Sequence, residues 1–94
     1  MTPAQARTVA QALKALADPI RVELLVHIRD AGDGGVCVKD LTALVPITGP
    51  TVSYHVKALK AAGLVSARRF QVRAFLTANP QAVEDLADLV RGLA

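Results

Sequence analysis

Thr48-Gly49-Pro50-Thr51-Val52-Ser53-Tyr54-His55-Val56-Lys57-Ala58-Leu59, continued by Lys60-Ala61-Ala62-Gly63, is the stretch on which the fold of this chain turns. Thr48 stands where a hydroxyl caps a helix whose early positions are Gly49 and Pro50, and Gly63 suits a C-terminal stop. On a wheel of about 3.6 residues per turn, Val52, Val56 and Leu59 share one face. Pro50, Tyr54, Lys57 and Ala61 project from the opposite face, with Ser53 and Lys60 at the margins. One face is built to pack, and the other offers hydroxyls and amines to a partner.

Upstream, the signals are helical. Thr2, Pro3 and Gln5 read as an N-cap, a first-turn proline and a capping-box partner, followed by Val9, Leu13 and Leu16 on one side of a helix ending near Ala17. Asp18-Pro19 repeats the device, and Ile20, Leu24, Leu25 and Ile28 give a second helix up to about Asp30. Ala31-Gly32-Asp33-Gly34-Gly35 then breaks regular structure. Val36 to Val38 predicts a short extended piece, and Asp40, Leu41, Leu44 and Val45 a helix of about two turns stopped before Pro46.

Downstream, Leu64 to Phe70 and Val72 to Thr77 alternate as two strands of a hairpin, with Val65 and Ala67 on one side and Ser66 and Arg68 on the other. Its turn, near Arg69, Phe70 and Gln71, lacks the Gly, Asn or Asp of a two-residue loop. Asn79-Pro80 opens a last helix, whose Val83, Leu86, Val90 and Leu93 form a stripe suited to pairing with another helix.

The 94 residues fit one small domain, residues 1–94, with only Tyr54, Phe70 and Phe75 as aromatic residues, so its core is aliphatic and modest. No run approaches the ~18 apolar residues of a membrane span, and residues 1–12 lack a signal-peptide core, so a cytoplasmic location is expected. Cys37 is the single cysteine, which excludes an intrachain disulfide. There is no nucleophile with a base at motif spacing, no Gly-rich phosphate loop after a strand and no catalytic carboxylate pair, so an enzyme is not expected.

Charge is segregated more than the net +3 suggests. Between Leu41 and Val83 there is no acid, while Lys57, Lys60, Arg68, Arg69 and Arg73 all fall there. Three helices, a tight turn into a fourth with a polar face, a basic hairpin and a closing helix make the order of a winged helix-turn-helix, a mainly α (α+β) fold of five helices with a two-stranded β-hairpin wing. An exposed helix carrying Thr51, Ser53, Tyr54 and Lys57 can enter the ~12 Å major groove of double-stranded DNA. Its N-terminus, at Thr48 and Pro50, favours a phosphate, His55 at the face edge can bond a neighbouring turn or a phosphate, and Lys60, Arg68, Arg69 and Arg73 can reach the backbone. A winged-helix module that binds protein without DNA is the alternative, and it has no need to strip carboxylates from both helix and wing.

Ala15-Leu16-Ala17-Asp18-Pro19-Ile20-Arg21 resembles a signature of the ArsR/SmtB family of metal-sensing repressors. The stretch from Thr48 to Leu59, with Ala62-Gly63-Leu64-Val65, resembles that family's recognition helix, and the likeness runs over roughly residues 8 to 90. The resemblance implies a homodimer paired through its first and last helices, here by Val9, Leu13, Val83, Leu86 and Val90, on an inverted-repeat operator.

Departures bear on sensing. Where the family has Cys-Val-Cys, this chain has Cys37-Val38-Lys39, and an ammonium replaces the second thiolate. Where the family sets Asp, His and Glu on the last helix, Glu84, Asp85 and Asp88 come without a histidine. Phe70-Gln71 stands at the wing where the family has Glu-Gly, and Tyr54 where it often has Arg. The plain readings are a buried apolar Cys37, a helix-flank His27, and Glu84 and Asp88 on a solvated helix face. No cofactor is expected. The signal stays open among a metal at an unfamiliar site (Cys37, His27, His55, Glu84 or Asp88), an organic or redox inducer, and a co-regulator protein.

Overall fold

Thr2 closes a capping box on α1 (Pro3–Leu16): its hydroxyl accepts from the Gln5 amide at 3.1 Å, and Gln5 Oε1 accepts from the Thr2 amide at 2.7 Å. The computed structural model describes residues Met1–Ala94. α2 (Pro19–Asp30) begins on the Asp18 carboxylate, which accepts the amides of Ile20 at 2.8 Å and Arg21 at 3.3 Å.

The next segment departs from expectation. α3 (Val38–Thr42) starts earlier and is shorter than the two turns read from Asp40 to Val45. The chain must leave the helical region before Pro46, and the buried Val45 already belongs to the turn. Of the extended piece only Val36 pairs, exchanging bonds with Leu76 at 3.0 and 2.8 Å. Gly35 allows this approach. Its φ is +80°, and a Cβ there would meet the Leu76 carbonyl oxygen at 2.9 Å. The loop before α3 is therefore stitched to the root of the wing.

α4 (Gly49–Ala61) ends with Gly63 at φ +77°, and β1 (Val65–Phe70) pairs antiparallel with β2 (Arg73–Ala78) from Val65↔Ala78 to Phe70↔Arg73. The missing turn chemistry is met by backbone strain at the tip: Gln71 takes φ +57°, alone among the non-glycine residues. Asn79 caps α5 (Pro80–Leu93) through the Gln81 and Ala82 amides at 3.2 and 3.4 Å. Its Nδ2 also donates to the Gly63 carbonyl at 3.1 Å, joining the start of α5 to the end of α4.

The core forms where α2, α3, α4 and the hairpin meet: Leu24, Ile28, Leu41, Val52, Leu59 and Leu64 are fully enclosed, and Ala12 and Ala15 bring in α1. No polar side chain is buried. α5 contributes no buried residue at all.

Candidate nucleic-acid interface

Burial of Val52, Val56 and Leu59 fixes the rotation of α4, and with it what the helix presents outward. Pro50, Thr51, Ser53, Tyr54, Lys57, Lys60 and Ala61 are exposed, with Tyr54 at 65%. Thr48 occupies the N-cap, yet its side chain makes no cap bond. Its hydroxyl pairs with that of Thr51 at 3.0 Å, leaving the first-turn amides of α4 without a side-chain partner.

His55 is half-buried at the face edge, and its partner is a side chain on α2 rather than a turn. Arg21 Nε donates to His55 Nδ1 at 3.0 Å, and Arg21 Nη1 to the Ala15 carbonyl at 3.4 Å. The guanidinium carbon lies 5.8 Å from the Tyr54 ring centroid. Tyr54 and His55 meet edge-on, with centroids 5.4 Å apart at 71°. Sequence reasoning missed Arg21. The signal available was its place at the end of the Ala15–Arg21 motif.

On the hairpin, residues opposite one another share a side of the sheet. The register therefore sets Arg68, Phe70, Arg73 and Phe75 on one face and Arg69, with Ala67, Ala74 and Leu76, on the other. The structure gathers Arg68 and Arg73 but separates Arg69 from them. Phe70 is 62% exposed and Val72 85%, so the wing tip is apolar between cations. The only ion pairs, Arg29–Asp30 and Arg91–Asp88, lie elsewhere, and the five basic residues of the acid-free stretch are uncompensated.

A groove of about 710 Å³ separates α1 from α5, with Val9, Ala12, Ala82, Leu86 and Leu89 among its lining residues. Leu13 and Val90 are large apolar side chains exposed on the same two helices. Val83 lies instead in a cleft with Ile28 and Thr77, toward α2 and β2. Leu89 belongs to the groove although the stripe read from the sequence omits it.

The metal candidates are dispersed. Cys37 is buried, and its thiol donates to Asp40 Oδ2 at 3.2 Å. His27 is half-buried on α2, Glu84 is exposed on the first turns of α5, and Asp88 pairs with Arg91 at 2.7 Å. No three His, Cys, Asp or Glu side chains converge.

Residues 16–68 match the family described as "Helix-turn-helix domain". Over 57 residues the chain is 39% identical to the HTH-type transcriptional repressor SmtB of Mycobacterium tuberculosis (strain H37Rv), a match covering 61% of this chain and 40% of that protein. The chain thus spans well under half the length of that relative. Over 80 residues it is 32% identical to the arsenical resistance operon repressor of Bacillus subtilis (strain 168), covering 85% of this chain and 74% of the other. Among solved structures, the homodimeric winged helix-turn-helix DNA-binding domain of a possible ArsR-family transcriptional regulator from Mycobacterium bovis superposes with a TM-score of 0.77 at 28% identity, covering 96% of this chain and 81% of that one.

Proposed function

This chain belongs to the ArsR/SmtB family of winged helix-turn-helix transcriptional regulators, and we propose that it acts as a homodimeric repressor on an inverted-repeat operator in double-stranded DNA. Relatives it matches in Mycobacterium tuberculosis and Bacillus subtilis are named as transcriptional repressors, and the chain is a regulator, not an enzyme. The observation that carries the proposal is that the exposed face of α4 and the wing that sets Arg68 and Arg73 on one side both fall in the acid-free stretch between Leu41 and Val83, with no ion pair to any of their cations. Thr51, Ser53, Tyr54 and Lys57 enter the major groove. The arginines and Lys60 grip phosphates, and the free first-turn amides of α4 add a further phosphate contact. Two protomers present two such helices, and an operator so occupied is closed to transcription.

The test is selection of duplexes from a random-sequence pool by the purified protein. An inverted repeat with half-sites about one helical turn apart, roughly 34 Å, is the expected product. Ser53→Ala and Tyr54→Ala should then change base preference at defined positions, by about tenfold per position. A uniform weakening over all sequences would move both residues to the backbone.

For the signal, we take the two familiar metal positions to be inactive in this chain. Lys39 as an ammonium repels a cation, and the buried Cys37 thiol is engaged by the Asp40 carboxylate. Cys37→Ser is expected to leave operator affinity within twofold, about 0.4 kcal/mol, and any response to zinc, nickel, cobalt or copper unaltered. Loss of a metal- or peroxide-induced release would restore Cys37 as the sensor. Inducer recognition then falls to another ligand or to a co-regulator protein, with the regulator itself expected in the cytoplasm.

A further inference from the structure

We propose that Arg21 is a positioning residue for DNA recognition: it fixes the Nε2–H tautomer of His55, turning that N–H toward a DNA phosphate, and steadies the Tyr54 ring on the groove-facing side of α4. The inference rests on the DNA-binding reading above and deepens it. A guanidinium has only donors and does not deprotonate in proteins, so the nitrogen facing Arg21 Nε at 3.0 Å must accept. Nδ1 therefore carries a lone pair, and the ring proton of neutral His55 sits on Nε2.

Arg21 is itself held from two further sides. Its backbone amide is bound by Asp18, and Nη1 donates to the Ala15 carbonyl, one of the α1 carbonyls left without a helical partner. One side chain thus ties the end of α1 and the start of α2 to the middle of α4. It does so through groups at the exposed edge of α4: a half-buried imidazole and a phenol that is 65% exposed. Covering the core does not call for such contacts, since Val52, Val56 and Leu59 already do that on the opposite face. What the contacts fix is the direction of two donors on the helix that meets DNA. Left free, each would lose rotamer entropy on binding.

The tautomer is read by nitrogen NMR on ¹⁵N-histidine-labelled protein at neutral pH, with His27→Gln leaving one imidazole to assign. His55 should show an unprotonated Nδ1 and a protonated Nε2, and Arg21→Met should replace this by a mixture of tautomers. Affinity for a duplex selected by the wild-type protein should fall on the order of tenfold in Arg21→Met, with Arg21→Lys recovering only part because an ammonium lacks the planar fork. His55→Asn, which keeps an acceptor at the Nδ1 position but has no Nε2–H, should lose a similar factor and serves should Arg21→Met fail to fold. The double variant should lose no more than the worse single one. A wild-type tautomer with Nδ1 protonated or mixed, or additive losses in the double variant, would overturn the role of Arg21. If the wild-type protein selects no duplex, the DNA-binding reading itself fails and carries this inference with it, whatever the tautomer.

Discussion

Leu86→Asp is expected to turn the protein from a dimer into monomers at micromolar concentration, with a loss of dimer affinity of at least a thousandfold. Leu86 lines the groove between α1 and α5 beside Val9 and Leu89, on a helix with no fully buried residue in its own protomer. Leu13 on α1 and Val90 and Leu93 on α5 are 44%, 56% and 77% exposed, large apolar side chains left uncovered on the same two helices. A second copy using the same patch covers both stripes at once, so every substitution acts twice. Two lost leucines forfeit about 1.5–3 kcal/mol each, and two desolvated carboxylates cost further kilocalories, which together exceed the ~4 kcal/mol of a thousandfold change. Sedimentation velocity reads the result. Because Leu86 is half-buried in the protomer, Val90→Asp is the companion variant, since at 56% exposure its carboxylate stays hydrated in the monomer. Dimers that survive both changes would place the interface elsewhere.

What was legible in the sequence followed from local chemistry. Thr2, Asp18 and Asn79 act within three residues of themselves, and each caps the helix it was assigned. Val52, Val56 and Leu59 repeat at helical spacing, and their burial follows from the period alone. The partner of His55 lies 34 residues away on α2, and no periodicity announces a contact of that range. Thr48 has the right residue type for a cap, but Thr51 stands one turn on and competes for the hydroxyl. α3 stops short of the two turns its spacing suggests because Leu44 and Val45 continue a helical apolar pattern while Pro46 pulls the backbone out of it. At the wing, composition groups Arg69 with Arg68 and Arg73, whereas the pleat divides them. Charge counts say how many cations a segment carries, and only register says which of them act together.

That division yields the second large effect. Arg68→Ala combined with Arg73→Ala removes four cations from one face of the wings of a dimer, next to Phe70 and Phe75. Each phosphate neutralised contributes about −0.9 to the slope of log affinity against log salt, so the plot for a selected duplex should become shallower by roughly 3 to 4. At low salt the affinity should fall on the order of a thousandfold, while at high salt, where counterion release no longer favours binding, the variants should converge. Arg69→Ala is the internal control. It removes one cation per protomer from the opposite face, among Ala67, Ala74 and Leu76, and should change the slope by less than half of what one arginine of the facing pair contributes. Equal effects from all three arginines would mean that the wing is wrapped by DNA on both sides, and the register argument would lose its functional meaning. A large slope change from the pair with little from Arg69 identifies the Arg68–Arg73 face as the one against the phosphates. That orientation also sets the exposed tip residues, Phe70 and Val72, beside the same stretch of DNA.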